Sequence, residues 1–421
     1  MQLALPPNPA SMVGMKTYSI GIVGAGMGGL AAAALLARAG HEVCVIERFA
    51  TAGPVGSGLV LQPVGLAVLD EIGAGDAARA LAAPITHMLG HAGGRAVLDV
   101  RYGPGAPGLA LHRAALFAVL WDAAIAAGVA VKTAAQVTAA PLIGAKRWIE
   151  LQGADRLGPF DLVIDASGAG SPLSPLLARP LPFGAVWGHV PMPRDSGFAP
   201  DRLTQRYAGA HRMAGVLPIG QLPGDPTPRA AVFWSLPRAD LATWAARNQD
   251  DWRAEVVAFW PEMAAFMCHA PVMTPAAYSH GTLRRPFAPA LAFIGDAAHR
   301  ASPQLGQGAN MALLDAMALA TALATCDLDD ALPRYCALRR WHVRSYQGMS
   351  AAFTPMYQSH SKILPKLRDH VLAPLAQLPP VRAVLTRLVS GTLLPPLAST
   401  PWPRQSAGPR APITAAGDRH A

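Results

Sequence analysis

The chain opens with a strand–helix–strand rhythm. Ile20, Ile22 and Val23 make a short apolar run, Leu30 to Ala39 is an alanine-rich stretch of helical spacing, Gly40 ends it, and Val43 to Ile46 forms a second run closing at Glu47. A later run, Leu291 to Ile294, is apolar throughout and stops at Gly295 and Asp296, as a buried parallel strand does when it delivers one carboxylate at its carboxyl end. The loop Arg300 to Gly308 follows, carrying Pro303, Gly306 and Gly308. Asn310 then opens a helical pattern whose buried side begins with Ala309, Met311 and Leu313. Between these anchors, Asp122 to Val131 reads as a helix running into a strand, and Trp148 to Leu151 and Phe160 to Ile164 read as further strands.

Residues 183 to 279 change rhythm. Three alternating or aromatic-rich runs, Phe183 to Val190, Arg206 to Ile219 and Arg229 to Leu236, are separated by Pro/Gly loops such as Gln221 to Pro228, which predicts an antiparallel sheet. A helical stretch, Leu241 to Phe266, leads out of it. After Asp329 the pattern predicts helices at Tyr335 to Ser350, Lys362 to Leu378 and Val381 to Leu394. Beyond them lies a Pro/Ser/Ala-rich tail of the composition that stays unfolded.

Composition narrows the class. Hydrophobic residues make up 52% and charged residues 14% of the 421, ample for a large core, yet no uninterrupted apolar window reaches the length of a membrane span. The start, MQLALPPNPASMVG, lacks the basic and apolar regions of a signal peptide, reads as a loose tail, and leaves Met15 as a second start. Cys44, Cys268, Cys326 and Cys336 are far apart, so neither a zinc site nor a disulfide framework is expected; buried thiols in a cytoplasmic setting are. The net charge of +9 is concentrated: residues 331 to 421 hold twelve Lys or Arg against Asp369 and Asp418. No nucleic-acid module accompanies those cations. Arginines interleaved with leucine and valine instead predict peripheral contact with an anionic membrane face.

The candidate chemistry sits at the two anchors. Gly24-Ala25-Gly26-Met27-Gly28-Gly29 supplies G-x-G-x-x-G inside a full strand–helix–strand context. Gly24 makes the tight turn, Gly26 admits a pyrophosphate, Gly29 lets helix and strand pack, and Glu47 stands where an acid holds an adenosine ribose, with Arg48 beside it. This is dinucleotide binding. At the second anchor, Asp296 can hold a cofactor hydroxyl, and the glycine loop before the helix turns free N–H groups and a positive dipole end toward the strand mouth. A reduced flavin, whose pyrimidine edge takes up negative charge, would suit them.

With both anchors in order, the chain resembles the single-component FAD-dependent aromatic hydroxylases, the family of para-hydroxybenzoate hydroxylase and the ubiquinone-pathway hydroxylases. The likeness spans about residues 18 to 325. Gly295-Asp296 matches the family's ribityl-binding G-D motif. Pro303 and Gly306-Gln307-Gly308-Ala309-Asn310 match its flavin-ring loop, Gly56-Ser57-Gly58-Leu59-Val60-Leu61-Gln62-Pro63 its glycine-rich segment, and Arg113 an arginine near the pyrophosphate. The family usually has G-A-D-G-x-x-S where this chain has Asp165-Ala166-Ser167-Gly168-Ala169-Gly170-Ser171, so Ser167 replaces an acid and Asp165 is the candidate to take over its work.

The resemblance implies an α/β fold. A Rossmann-type FAD-binding domain (17–80, 108–180, 280–330) interleaves with an antiparallel-sheet substrate domain (81–107, 181–279), followed by a helical segment (331–397), with flexible tails at 1–16 and 398–421. It implies FAD with NADH or NADPH as co-substrate, and oxygen transfer through a flavin hydroperoxide to an aromatic or other apolar small molecule. Trp187, His189, Tyr207, His211, Phe233 and Trp234 are the candidates to line the substrate cavity. The cofactor carries the chemistry, so no metal cluster is needed and no catalytic base stands out; His299 reads as packing within the G-D motif. A flavin reductase or dehydrogenase of prenyl chains, or a non-catalytic flavin-binding module, would share the same anchors. A flavin halogenase would need a lysine relay, and none occurs between Lys16 and Lys132.

Overall fold

The computed structural model describes residues 16–51, 53, 58–269 and 271–398. Gly56, Ser57 and both expected tails therefore lie outside the described residues, apart from Lys16 and Ala398 at their inner ends.

The first anchor builds the centre of a six-stranded sheet. Its order is Phe287–Ala288, Leu291–Phe293, Leu162–Asp165, Ser19–Val23, Glu42–Ile46, Ala130–Lys132. All neighbours run parallel except the Phe287–Ala288 edge. From Ser19–Val23 the chain moves one way to Glu42–Ile46 and Ala130–Lys132, then returns on the other side with Leu162–Asp165 and Leu291–Phe293. That reversal leaves a crevice at the strands' carboxyl ends, where open α/β sheets bind ligands. The loops that meet there begin at Gly24, Ala166 and Ile294. Helix Met27–Arg38 covers one face, and Ala31 to Ala34, all fully buried, let its neighbours come close. A Cβ on Gly28 would lie 3.2 Å from the Ala312 Cβ of helix Gly308–Leu323.

The second sheet has eight strands, in the order His299–Arg300, Thr274–Thr282, Arg179–Pro191, Arg229–Pro237, Arg212–Pro218, Arg202–Ala208, His87–Ala92, Arg95–Arg101. It is antiparallel apart from one parallel pairing, Arg202–Ala208 with His87–Ala92. The run Arg206 to Ile219 is a hairpin rather than one strand, turning over Gly209–His211, and His211 is exposed at the turn. The period of two sorts the remaining aromatics. Trp234 faces the outer layer, where it packs with Trp244, Trp252 and Phe266 of the segment 238–267. Trp187, Tyr207 and Phe233 face the opposite way, toward Val60 and Ala110. The expected helix Leu241 to Phe266 is broken into short turns, of which Gln249–Phe259 is the longest, capped by Asn248.

A three-stranded sheet, Gly58–Leu61, Gly108–His112 and Ala83–Ile85, joins the two halves. Helix Leu328–Tyr357 runs 30 residues and packs on helix Gly308–Leu323, longer than Tyr335 to Ser350 because Asp329 and Asp330 suit its first turn. The expected helix Lys362 to Leu378 is instead Leu364–Leu367, a π turn at Arg368–Leu372, and Ala373–Ala376; the last helix is Pro379–Val389.

Candidate active site

Gly24 has φ +102, a conformation L side chains rarely adopt, and its N–H donates to Ile46 O at 2.8 Å. A Cβ on Gly29 would stand 2.0 Å from Gly24 O, so nothing larger than glycine fits there. Gly26 is different. Its backbone is extended, and an added Cβ would meet only Ala166 O at 3.9 Å, so this glycine keeps open the space in front of the helix N-terminus. Glu47 is buried and accepts from Ala25 N at 2.8 Å and Phe49 N at 3.0 Å, which locks the strand end to the glycine turn. Arg48 is exposed, its guanidinium 4.6 Å from the Phe49 ring centre.

Across the crevice stand Arg113 and Asp296. Asp296 is solvent-exposed yet ringed by protein, and burial pushes its carboxyl up against the pull of His299, Arg113 and Arg300. Arg113 begins helix Arg113–Ala126; burial lowers its pKa, opposed by Asp296 and Tyr278. Each thus feels the other's charge. Among the described residues neither side chain makes a hydrogen bond or an ion pair, and two opposite charges left without protein partners on one crevice suit a bound group between them. A cofactor with hydroxyls and a diphosphate meets both needs, so the residues present fit FAD.

The ring loop is held from behind. Gly306, at φ +62, ends the short turn Pro303–Leu305. Asn310 is fully buried and spends its amide on backbone: Nδ2 donates to Gly306 O at 3.0 Å and Val60 O at 3.1 Å, and Oδ1 accepts from Gln62 N at 2.8 Å. It staples the glycine loop to strand Gly58–Leu61 instead of pointing outward as a helix-opening residue would. Ala309 is half-buried, whereas Met311 and Leu313 are buried as expected. At Gly308 an added Cβ would meet open space.

Several contacts here carry no signal in the sequence pattern. Gln62 accepts from Tyr102 Oη at 2.7 Å, but its Nε2 is buried with no partner among the described residues and lies beside Gly306. Tyr278 accepts from Trp187 Nε1 at 2.7 Å, and burial pushes its phenol up to about 12. His112 caps its helix through Nδ1 and meets the His189 ring edge-on at 4.5 Å, while its Nε2 is buried and unpartnered among the described residues. Burial first, then His189 and two arginines, lower its pKa to about 4, so it stays neutral near pH 7. Asp315 did leave a trace, an acid inside an apolar helical run.

Two expectations need correction. Asp165 does not reach out to a cofactor: it is fully buried, and its oxygens accept from Ser167 N, Ser167 Oγ and Ser171 Oγ of its own loop. It is a turn aspartate. Trp234 and His211 do not line the cavity face, for the reasons of strand alternation and hairpin position given above. His299 packs against Asp315, as expected.

The comparisons with known proteins agree with this geometry. A family profile described as FAD binding domain matches residues 17–142 and 278–335, the segments that build the crevice. The chain carries an FAD-binding domain and is similar to FAD-dependent aromatic hydroxylases. It is 27% identical over 355 residues to 3-hydroxybenzoate 6-hydroxylase of Klebsiella oxytoca, covering 74% of this chain and 81% of that protein. It is 29% identical over 351 residues to 3-amino-4-hydroxybenzoate 2-monooxygenase PtnB3 of Streptomyces platensis, covering 79% and 86%. The fold matches Klebsiella pneumoniae HpxO complexed with FAD and uric acid at a TM-score of 0.74 and 20% identity, over 89% of this chain and 98% of that one. This protein is an FAD-dependent monooxygenase that acts on a small molecule. Among its described residues no helix is long and apolar enough to cross a membrane.

Proposed function

We propose that this monooxygenase hydroxylates a planar, electron-rich aromatic compound lodged between the flavin and the Trp187–Phe233 face of the large sheet. The observation that carries the reading is the unpaired Arg113 and Asp296 facing one crevice bordered by Tyr278 and Trp187. FAD, reduced by NADH or NADPH, supplies the activation of dioxygen. The chain's own residues bind and orient. Together with Arg113, the backbone at Gly24, Gly26 and Gly29 receives the diphosphate; Glu47 and Arg48 serve the adenosine end, and Asp296 takes the ribityl hydroxyls. Gly58, Pro303, Gly306, Gly308, Ala309 and Asn310 shape the ring site, with N–H groups at the helix start facing the pyrimidine edge. In this division residues 17–80, 108–180 and 280–330 hold the cofactor, while 81–107 and 181–279 cover the substrate.

The substrate class follows from the wall. The half-buried Trp187 ring, backed by buried Phe233 at 4.5 Å and a tilt of 32°, offers apolar aromatic surface. Tyr278 and neutral His112 add polar groups without adding charge. The hydroxybenzoate and aminohydroxybenzoate named for the two relatives are rings of this kind. The test is a screen of phenolic, quinone-like and polyketide compounds for stimulated NAD(P)H oxidation, with the product gaining one oxygen atom by mass. A bound flavin that NAD(P)H cannot reduce, with or without these compounds, would sink the reading.

The same reading includes a membrane-facing ridge. Ile363, Leu367, Val371, Leu375 and Leu378 are all exposed, at spacings of three or four residues. Exposed Lys362, Lys366, Arg382 and Arg387 flank them, and the segment's one acid, Asp369, is bound to Arg368. An apolar stripe edged by cations suits an anionic lipid surface.

A further inference from the structure

A second cavity, of about 390 Å³, lies between strand Thr274–Thr282 and helix Leu328–Tyr357, with Ala298 and His299 in its lining and neither Arg113 nor Asp296 of the crevice. Its back wall is rigid. Asp315, fully buried, accepts from Gly295 N at 2.9 Å, from Arg339 Nε at 2.8 Å and pairs with His299 Nε2 at 2.6 Å. Arg339 directs its other donors to Pro396 O, His342 Nδ1 and Met311 Sδ, so the one carboxylate and the one buried guanidinium in the wall are both satisfied within the protein.

The mouth is unbalanced. Arg284, Arg340 and Arg344 line it, all three are exposed, and among the described residues none has an acidic partner. Arg340 and Arg344 lie close to the Cys336 thiol, which lines the same cavity: burial pushes it up, and these two with neighbouring Arg285 pull it down. Like charges gathered in a concavity repel one another unless an anion sits among them. Guanidinium forks match phosphate oxygens two at a time, and the volume is that of a small-molecule site.

We infer that this arginine-lined cavity binds a phosphorylated small molecule free in solution, at a site separate from the flavin crevice. Because the Asp315 wall also holds the Gly295 N–H, the ligand would rest against the back of the turn that presents Asp296. The inference does not depend on the substrate proposed above.

The FAD-loaded enzyme should be titrated with inorganic pyrophosphate by calorimetry at low ionic strength. Saturable one-site binding is expected, weakening with salt and at least about tenfold weaker in the Arg340→Ala/Arg344→Ala double variant, since each truncation removes a guanidinium that would donate charge-assisted hydrogen bonds to the anion. The flavin absorbance of that variant should be unchanged, because both residues are exposed and neither touches the crevice. A second measurement needs no variant: pyrophosphate should slow maleimide modification of Cys336, followed by peptide mass, while leaving exposed Cys268 unaffected. Absence of saturable heat, equal binding by the double variant, unprotected Cys336, or binding seen only with phosphatidylglycerol vesicles would each overturn the inference, the last by assigning the arginines to a membrane surface.

Discussion

Asp315 on helix Gly308–Leu323 holds His299 at 2.6 Å and Arg339 at 2.8 Å while accepting Gly295 N–H at 2.9 Å, so one buried carboxylate ties the long C-terminal helix to the turn that carries Asp296. Burial alone would raise its pKa, but His299 and Arg339 outweigh that and hold it at about 2. Asp315→Asn strands Arg339 in the core and should cost about 3–5 kcal/mol, the range for breaking a buried pair from one side. Differential scanning calorimetry of the variant would measure it; a melting temperature equal to wild type would refute the account.

Acid stability follows with a definite sign. His112 and His342 have folded pKa values of about 4 and about 3, both depressed mainly by burial, so the unfolded chain takes up protons that the fold refuses as pH falls below the ordinary histidine value. Asp315, with its depressed value, adds a loss between the ordinary carboxylate range and about pH 2. The two histidines should therefore lower stability already as pH falls from about 6.5 toward 4. Urea midpoints across that range test it. A flat midpoint down to pH 4 would count against buried neutral histidines.

The glycines of the first turn should separate binding from folding. Gly26→Val brings its Cβ no closer than 3.9 Å to backbone, at Ala166 O, but fills the space before the helix, so it should yield folded, colourless protein. Gly29→Ala puts a methyl 2.0 Å from Gly24 O and should fail to fold or lose several kcal/mol, as overpacking against backbone does. Circular dichroism and flavin absorbance on both variants decide this, and a yellow Gly26→Val protein would contradict it. Asp296→Ala should likewise lower FAD occupancy while keeping the fold.

Because Asp165 is consumed by its own loop, Asp165→Asn should lower thermal stability and leave the rate of flavin reduction by NAD(P)H unchanged. Anaerobic stopped-flow reduction gives the rate. A slowed reduction at normal FAD content would restore a direct role for this carboxylate.

Leu367→Glu together with Leu375→Glu should abolish co-sedimentation with phosphatidylglycerol vesicles, which in the wild type should itself fall as salt rises. Wild-type protein that stays in the supernatant at low salt would dismiss the ridge as a lipid contact.

Local chemistry wrote the cofactor half of this protein into its sequence. A tight turn, a helix start and a strand end each need particular residues at fixed spacing, so Gly24, Gly26, Gly29 and Glu47, and later Asp296 and Gly306, could be read in order without any coordinates. What a side chain meets across the fold has no such spacing. That Asn310 points back to Val60 and Gln62, that Asp315 finds His299 and Arg339, and that Arg113 and Asp296 share one crevice depend on contacts between residues far apart in the chain. The sheet shows the division most plainly. Alternation made Trp187, Phe233 and Trp234 strand residues, but neighbouring positions point to opposite faces, and only the packing of Trp234 with Trp252 and Phe266 decided which layer each ring joined. Asp165 looked free at a strand end because sequence lists neighbours, not hydrogen bonds; the fold closed Ser167 and Ser171 over it.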